Sequence, residues 1–324
     1  MKRLKLLLLL AILLLAILLP ACVQAAAPVR KIYRDSIVPQ TYQYVVRGDT
    51  PLLMDVYTPD EPRPDSACVV FMFGGGFVSG ERNNQSTRLF CQQLAHAGYT
   101  AVAIDYRLHL REVKGDTIRL TNMQRIFRDA INIGAEDCAD AVAYICQNAD
   151  AWGVNPRHIV LSGSSAGAIS VMQLDYCRAN RLAPAATLPS GWRPAAVVAY
   201  SGAVYCDGRR AHYDSAPAPT FILHGDKDKI VNYKKFPPLL RSGLYGPKKL
   251  HRLFERKGYP HWYFIYEGIG HEVSGLMSYT IQEFDAFVDK SLAGSRMQYD
   301  ATLRDSNVRP TKWSSMNVFD LYKK

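Results

Sequence analysis

The sequence has no C-x-x-C pair, no internal repeat, no low-complexity stretch and no long basic run. Each absence excludes something. Without paired cysteines at that spacing, a structural zinc site is not expected. Without a basic run, or aromatics interleaved with basic residues, nucleic acid is not an expected partner, although the formal charge is +10. Lysine and arginine are scattered, with small clusters at Lys234-Lys235 and Lys248-Lys249, and read as a solvated, mildly basic surface. The absence of repeats sets aside solenoids and propellers.

Lys2, Arg3 and Lys5 precede an unbroken apolar run of 14 residues, Leu6 to Leu19, followed by Pro20 and small residues. A basic start, a short apolar middle and a small-residue cleavage zone form a secretory signal over residues 1–27. The run falls short of the roughly 20 residues a spanning helix needs. Two cleavage readings stand side by side. Val23-Gln24-Ala25 suits an ordinary signal peptidase. Leu19-Pro20-Ala21-Cys22 resembles a bacterial lipobox, which would lipidate Cys22 and attach the chain to a membrane. Either way the chain is expected outside the cytoplasm: periplasmic, secreted or membrane-anchored. Cys68, Cys91, Cys138, Cys146, Cys177 and Cys206 then face an oxidising compartment, where they either pair or stay buried as free thiols.

Beyond the signal, strand-like and helix-like segments alternate, the pattern of a mostly parallel central sheet with helices on both faces. Tyr42–Arg47 and Leu52–Tyr57 read as an antiparallel pair. Ala67–Phe73, Thr100–Tyr106, His158–Leu161, Ala195–Tyr200, Thr220–His224 and Trp262–Tyr266 read as further strands. Helical patterns fall near Ser86–Ala97, Gln124–Asn148, Ala166–Ala179 and Tyr279–Leu292. One domain over 28–292 is expected. The polar tail 293–324 carries Trp313, Met316, Phe319, Leu321 and Tyr322, and is expected to pack back on it.

Gly163-Ser164-Ser165-Ala166-Gly167 fits G-x-S-x-G, and the chemistry explains the residues. A serine on a sharp strand-to-helix turn leaves no room for side chains two positions away, so both are glycine. Its hydroxyl then sits at a helix start, where amides can meet a developing oxyanion. Ser165 is thus the candidate nucleophile. Ser164 is flanked at those positions by Ser162 and Ala166, which argues against it. Phe73-Gly74-Gly75-Gly76-Phe77 closes the first buried strand, where successive glycines let backbone approach a ligand. Such a loop donates to the oxyanion beside the N–H of the residue after the nucleophile, here Ala166.

With these motifs the sequence resembles the esterase and lipase branch of the α/β-hydrolases, whose loop reads His-Gly-Gly-Gly. That branch holds hormone-sensitive-lipase-like esterases, bacterial carboxylesterases and some acetyl or feruloyl esterases. The resemblance runs from about Tyr42 to Leu292 and implies oxyanion donors at Gly75 and Gly76. The family's loop histidine is Phe73 here, so the brace of the loop is in question; a buried Phe73 filling that space is the expectation. The family pattern H-G-x-x-D-x-x-V, matched by His224 to Val231, selects Asp228 over Asp226 as the acid. Chain order puts the base after the acid. Of His251, His261 and His271, only His271 follows the last of these strands, in a glycine-flanked loop.

These positions imply acyl transfer on Ser165 without a metal or organic cofactor, and a small-molecule or carbohydrate ester as substrate. A peptidase, amidase or lactone hydrolase on the same residues, and a catalytically dead binding module, are the alternatives. Arg107–Met123 and Tyr205–Tyr213 are the segments expected to set specificity.

Overall fold

A computed structural model describes residues 37–111, 113, 122–208, 210–238 and 240–322. The expected signal over residues 1–27, Cys22 within it, and most of the segment between Arg107 and Met123 lie outside the described residues.

The strands are β1 (Gln40–Arg47), β2 (Thr50–Tyr57), β3 (Cys68–Met72), β4 (Thr100–Ile104), β5 (Ile159–Ser164), β6 (Ala196–Tyr200), β7 (Val204–Cys206), β8 (Thr220–Gly225), β9 (Lys235–Phe236), β10 (Gly243–Tyr245), β11 (His261–Tyr266) and β12 (Gln298–Leu303). The helices are α1 (Gln85–His96), α2 (Met123–Gln147), α3 (Ala166–Ala179), α4 (Pro247–Lys257), α5 (Ile281–Leu292) and a single turn, α6 (Lys312–Ser315). Nine strands form one sheet in the order β1-β2-β4-β3-β5-β6-β8-β11-β12. The pairs β1–β2 and β2–β4 are antiparallel; from β4 to β12 every pair is parallel.

The reason is in the side chains. Every residue of β3, β4, β5, β6 and β8 is buried, as continuous apolar runs require when both faces are covered. The first strand pair differs: β1 is half exposed at the sheet edge, while β2 is buried from Met54 to Tyr57. Asn84 caps α1 by accepting from the Thr87 amide. Pro247 opens α4, and Gly258 at φ 70° closes it. No helix among the described residues is long and apolar enough to cross a membrane.

Two features lie outside the sequence-based expectation. A three-stranded antiparallel sheet, β7-β10-β9, stands beside the main one. The tail supplies β12, which pairs in parallel with β11 from His261–Gln298 to Tyr266–Leu303. Tyr205 and Tyr213 are both buried. Tyr205 lies in β7, while Tyr213 packs edge-on against Tyr176, Phe254 and Tyr259. All six described cysteines are unpaired. They are buried except for Cys146, which is partly so, and burial pushes their thiols up. They act as small apolar filler.

Candidate active site

Ser165 stands between β5 and α3 with φ 51° and ψ −116°. A non-glycine residue there is strained by about 1–3 kcal/mol, which the surrounding packing must hold. The packing does so through its glycines. A Cβ on Gly163 would come within 2.5 Å of the Gly167 backbone, and one on Gly167 within 2.1 Å of the Met72 carbonyl oxygen. The Ser165 amide donates to the Tyr200 carbonyl at 2.8 Å, pinning the turn to β6.

Ser165 Oγ lies 2.7 Å from His271 Nε2. His271 Nδ1 lies 2.7 Å from Asp228 Oδ2. The pattern suits Nδ1–H donating to the carboxylate and Nε2 accepting from the hydroxyl. All three residues are buried. Ser164, the neighbouring hydroxyl, points elsewhere and donates to the Ser274 carbonyl at 2.7 Å.

Asp228 is fixed on all sides. Its Oδ1 accepts from the Ile230 and Val231 amides, both at 2.9 Å. His224 Nε2 lies 3.4 Å from Oδ2 and donates to the Val231 carbonyl at 2.8 Å, tying the acid-bearing turn to β8. Burial alone would raise the Asp228 carboxyl. The His271 charge and hydrogen bond, with His224 and the Val231 amide, outweigh it and hold the group below its ordinary value. Asp226 acts elsewhere, where its Oδ1 accepts from the Gly268 amide at 2.8 Å, at the start of the His271 loop. His251 and His261 pair with each other at 3.0 Å on α4 and β11.

Phe73 is buried at 3% exposure. Its ring packs on Tyr106 with centroids 4.6 Å apart, and a Cβ on Gly80 would meet it at 2.6 Å. Two tyrosine hydroxyls hold the glycine loop. Tyr106 donates to the Phe73 carbonyl at 2.9 Å, and Tyr322 to the Gly76 carbonyl at 3.0 Å. The Gly75 carbonyl accepts from the Val78 and Ser79 amides. In a trans peptide the N–H points opposite to the preceding C=O; that engagement therefore turns the Gly76 N–H away from the 78–79 turn. Gly74 passes so close to the nucleophile that an added Cβ would sit 3.2 Å from Ser165 Cβ. Ala166 opens α3, so its N–H has no acceptor within the helix.

The tail reaches the same rim. Glu272, next to His271, accepts from the Thr311 amide at 2.6 Å, the Thr311 hydroxyl at 2.9 Å and the Ser314 amide at 2.9 Å. Its other oxygen accepts from the Gly270 amide and the Ser314 hydroxyl. Burial opposes the Glu272 charge, yet these bonds keep the carboxyl below its ordinary value. Gly270 must be glycine, because a Cβ would lie 2.6 Å from Ser314 Cα. Sequence reasoning gave no role to Tyr106, Tyr322, His224 or the Glu272 clasp. The tail's spaced aromatics, and the place of His224 at the head of the H-G-x-x-D-x-x-V pattern, were the available signals.

A cavity of about 860 Å³ is lined by Pro156, Trp192, Arg193 and Pro219, at the starts of β5, β6 and β8. Ser165 follows the other end of β5, so this cavity is separate from the chemistry there. Among the described residues, no group of three or more histidine, cysteine, aspartate or glutamate side chains is placed to hold a metal ion.

The histidines make stability depend on pH. Burial pushes His224, His251 and His261 below the ordinary histidine value. The unfolded chain therefore takes up these protons first, near pH 6.5. Stability is full above that pH and falls below it, by up to about 1.4 kcal/mol per pH unit for each group. Asp105 and Asp137, raised by burial, act in the opposite sense, while the lowered carboxyls of Asp65, Asp228 and Glu272 act in the same sense as the histidines. Urea unfolding should show a lower midpoint at pH 5.5 than at pH 7.5; an equal or higher midpoint at pH 5.5 would contradict the assignment.

A strained serine between β5 and α3, hydrogen-bonded to a histidine that is held by an aspartate, on a mostly parallel helix-covered sheet, defines the class: this chain has the α/β-hydrolase fold with a Ser-His-Asp constellation. Residues 54–174, from β2 through the nucleophile turn into α3, match the protein family described as BD-FAE. A probable isoprenylcysteine alpha-carbonyl methylesterase of Oryza sativa subsp. japonica is 28% identical over 130 residues, 40% of this chain and 27% of that protein. Lipase 2 of Moraxella sp. is 31% identical over 104 residues, 32% of this chain and 20% of that protein. Para-nitrobenzyl esterase of Bacillus subtilis is 26% identical over 123 residues, 38% of this chain and 24% of that protein. The matches thus span about a quarter of these relatives' lengths. Among solved structures, a thermophilic esterase of Thermogutta terrifontis superposes with a TM-score of 0.54 at 20% identity, covering 79% of this chain and 92% of that one.

Proposed function

We propose that this chain is a serine carboxylic ester hydrolase that works through an acyl-enzyme on Ser165. One observation carries the reading: Ser165 Oγ, His271 and Asp228 are linked by two hydrogen bonds of 2.7 Å each. His271 takes the Ser165 proton as Oγ attacks the ester carbonyl. The tetrahedral oxyanion is met by amides of Ala166 and of the loop at Gly75 and Gly76. Collapse breaks the ester bond, and His271 returns the proton to the departing alcohol. Water then repeats the sequence on the acyl-enzyme, releasing the acid and restoring Ser165.

The names of the relatives, a methylesterase, a lipase and an esterase, support carboxylic esters over amides. Within that class we favour small-molecule or carbohydrate esters, with acetyl and feruloyl groups as the first acyl groups to try. The signal-like residues 1–27 support action outside the cytoplasm, either free or anchored through Cys22.

A fluorophosphonate probe should label the wild type at Ser165, and nitrophenyl acetate and acetylated sugars should be hydrolysed. Absence of both labelling and hydrolysis would overturn the enzymatic reading. Labelling with hydrolysis of anilides and not esters would transfer the activity to amides.

A further inference from the structure

The glycine loop beside Ser165 lacks the bracing histidine of the family it resembles, and the structure shows what stands there instead. Tyr106 lies under the loop and holds the carbonyl of Phe73. Tyr322, from the far end of the chain, holds the carbonyl of Gly76 across 246 residues. The Tyr322 ring is buried and packs edge-on against Phe127 of α2, with centroids 5.5 Å apart. The Leu321 side chain lies over Gly76, where an added Cβ would meet it at 3.4 Å. About ten residues earlier the same segment grips the base loop, where the Glu272 carboxylate accepts from Thr311 and Ser314. Trp313 lies 6.5 Å from His271, ring to ring.

We propose that residues 311–322 form a strap that completes the active site, with Tyr322 as the positioning residue of the oxyanion loop. The inference rests on the ester-hydrolase reading above. Two loops with separate duties, one presenting the base and one presenting amides, are both tied to this one segment. The physical argument concerns the peptide between Gly76 and Phe77. Glycine at 75 and 76, with φ 133° and 63°, leaves the loop many conformations. Its Phe77 end is itself strained, at φ 61°. A hydrogen bond to the Gly76 carbonyl selects one orientation of that peptide and of its own N–H, that of Phe77. Through the Gly76 dihedrals it also limits the adjoining peptide, whose Gly75 carbonyl the Val78 and Ser79 amides hold from the other side. Preorganised donors stabilise an oxyanion because they need no reorientation when charge appears. Removing the tyrosine hydroxyl leaves the triad untouched but takes away the loop's anchor at Gly76, while those at Phe73 and Gly75 remain.

Tyr322→Phe removes the hydroxyl and keeps the ring. On nitrophenyl acetate, with sites counted by fluorophosphonate titration so that only folded enzyme is scored, kcat should fall about 10- to 100-fold, the range expected when donor placement slips by about an ångström. KM should change less than about threefold on the same argument, because the loop acts on the transition state, and the thermal midpoint should stay within a few degrees. Tyr322→Leu, which removes the ring as well, should be no more active than Tyr322→Phe. A Tyr322→Phe variant with wild-type kcat would overturn the proposal while leaving the ester-hydrolase reading intact. Wild-type behaviour in Phe with loss only in Leu would also overturn it, by assigning the effect to packing. Unlabelled, inactive wild type would overturn the ester-hydrolase reading itself, and the strap's catalytic role with it.

Discussion

Ser165→Ala should lower ester turnover by about 10⁶-fold, the scale seen when a triad nucleophile is removed elsewhere. The expectation follows from the geometry around one oxygen. Ser165 Oγ is the hydroxyl that His271 Nε2 faces at 2.7 Å, and no covalent intermediate forms without it. Ser164 cannot substitute, because its hydroxyl is committed to the Ser274 carbonyl on the other side of the turn. The fold should survive. Alanine keeps the Cβ that packs near Gly74, and the Ser165 amide still donates to Tyr200. The positive φ persists at similar strain, so the thermal midpoint should move by a few degrees at most. Steady-state kinetics on nitrophenyl acetate, with circular dichroism melting alongside, checks both halves. An active Ser165→Ala with a dead Ser164→Ala would place the nucleophile one residue earlier.

The elbow was legible in the sequence because its constraint is steric and local. Gly163 and Gly167 are needed whatever surrounds them, since each added Cβ would strike backbone. The buried strands were legible because a parallel sheet leaves no polar face. The acid was legible only as a motif. What distinguishes Asp228 from Asp226 in space is that one carboxylate turns inward to His271, while the other caps the backbone of the following loop.

The rest was hidden for physical reasons. β7, β9 and β10 hold two or three residues each, too few for any periodicity to register. β12 is mostly exposed, with a burial pattern set by its edge position, so its side chains carry little of the apolar signal that marks a strand. Nothing local marks Tyr322 as the partner of Gly76, because the contact closes a loop of 246 residues. Phe73 shows the same limit. Its burial was expected from the loss of the family's histidine, but the two tyrosines that take over the hydrogen bonding come from distant segments.

Asp228→Asn should reduce kcat by about 10⁴-fold, or about 5.4 kcal/mol of transition-state stabilisation, by comparison with triads in which the acid was replaced by its amide. The side chain is nearly isosteric, so the loss has to come from hydrogen-bond direction. Oδ1 accepts from the Ile230 and Val231 amides, which fixes the amide oxygen of asparagine at that position. The –NH₂ must then face His271 Nδ1, where the carboxylate oxygen stood 2.7 Å away. A donor there forces Nδ1 to accept, which moves the imidazole proton to Nε2. His271 then donates toward Ser165 and cannot take its proton. His224 does not rescue the arrangement, because its Nε2–H is already spent on the Val231 carbonyl. Asp226→Asn is the control: it alters the contact with the Gly268 amide and the ion pair with Lys227, and its effect on kcat should stay within about tenfold, as for a change outside the reacting groups. The two variants should rank Asp226→Asn far above Asp228→Asn in kcat on nitrophenyl acetate. The reverse ranking would move the acid to Asp226 and require a different orientation of the His271 ring.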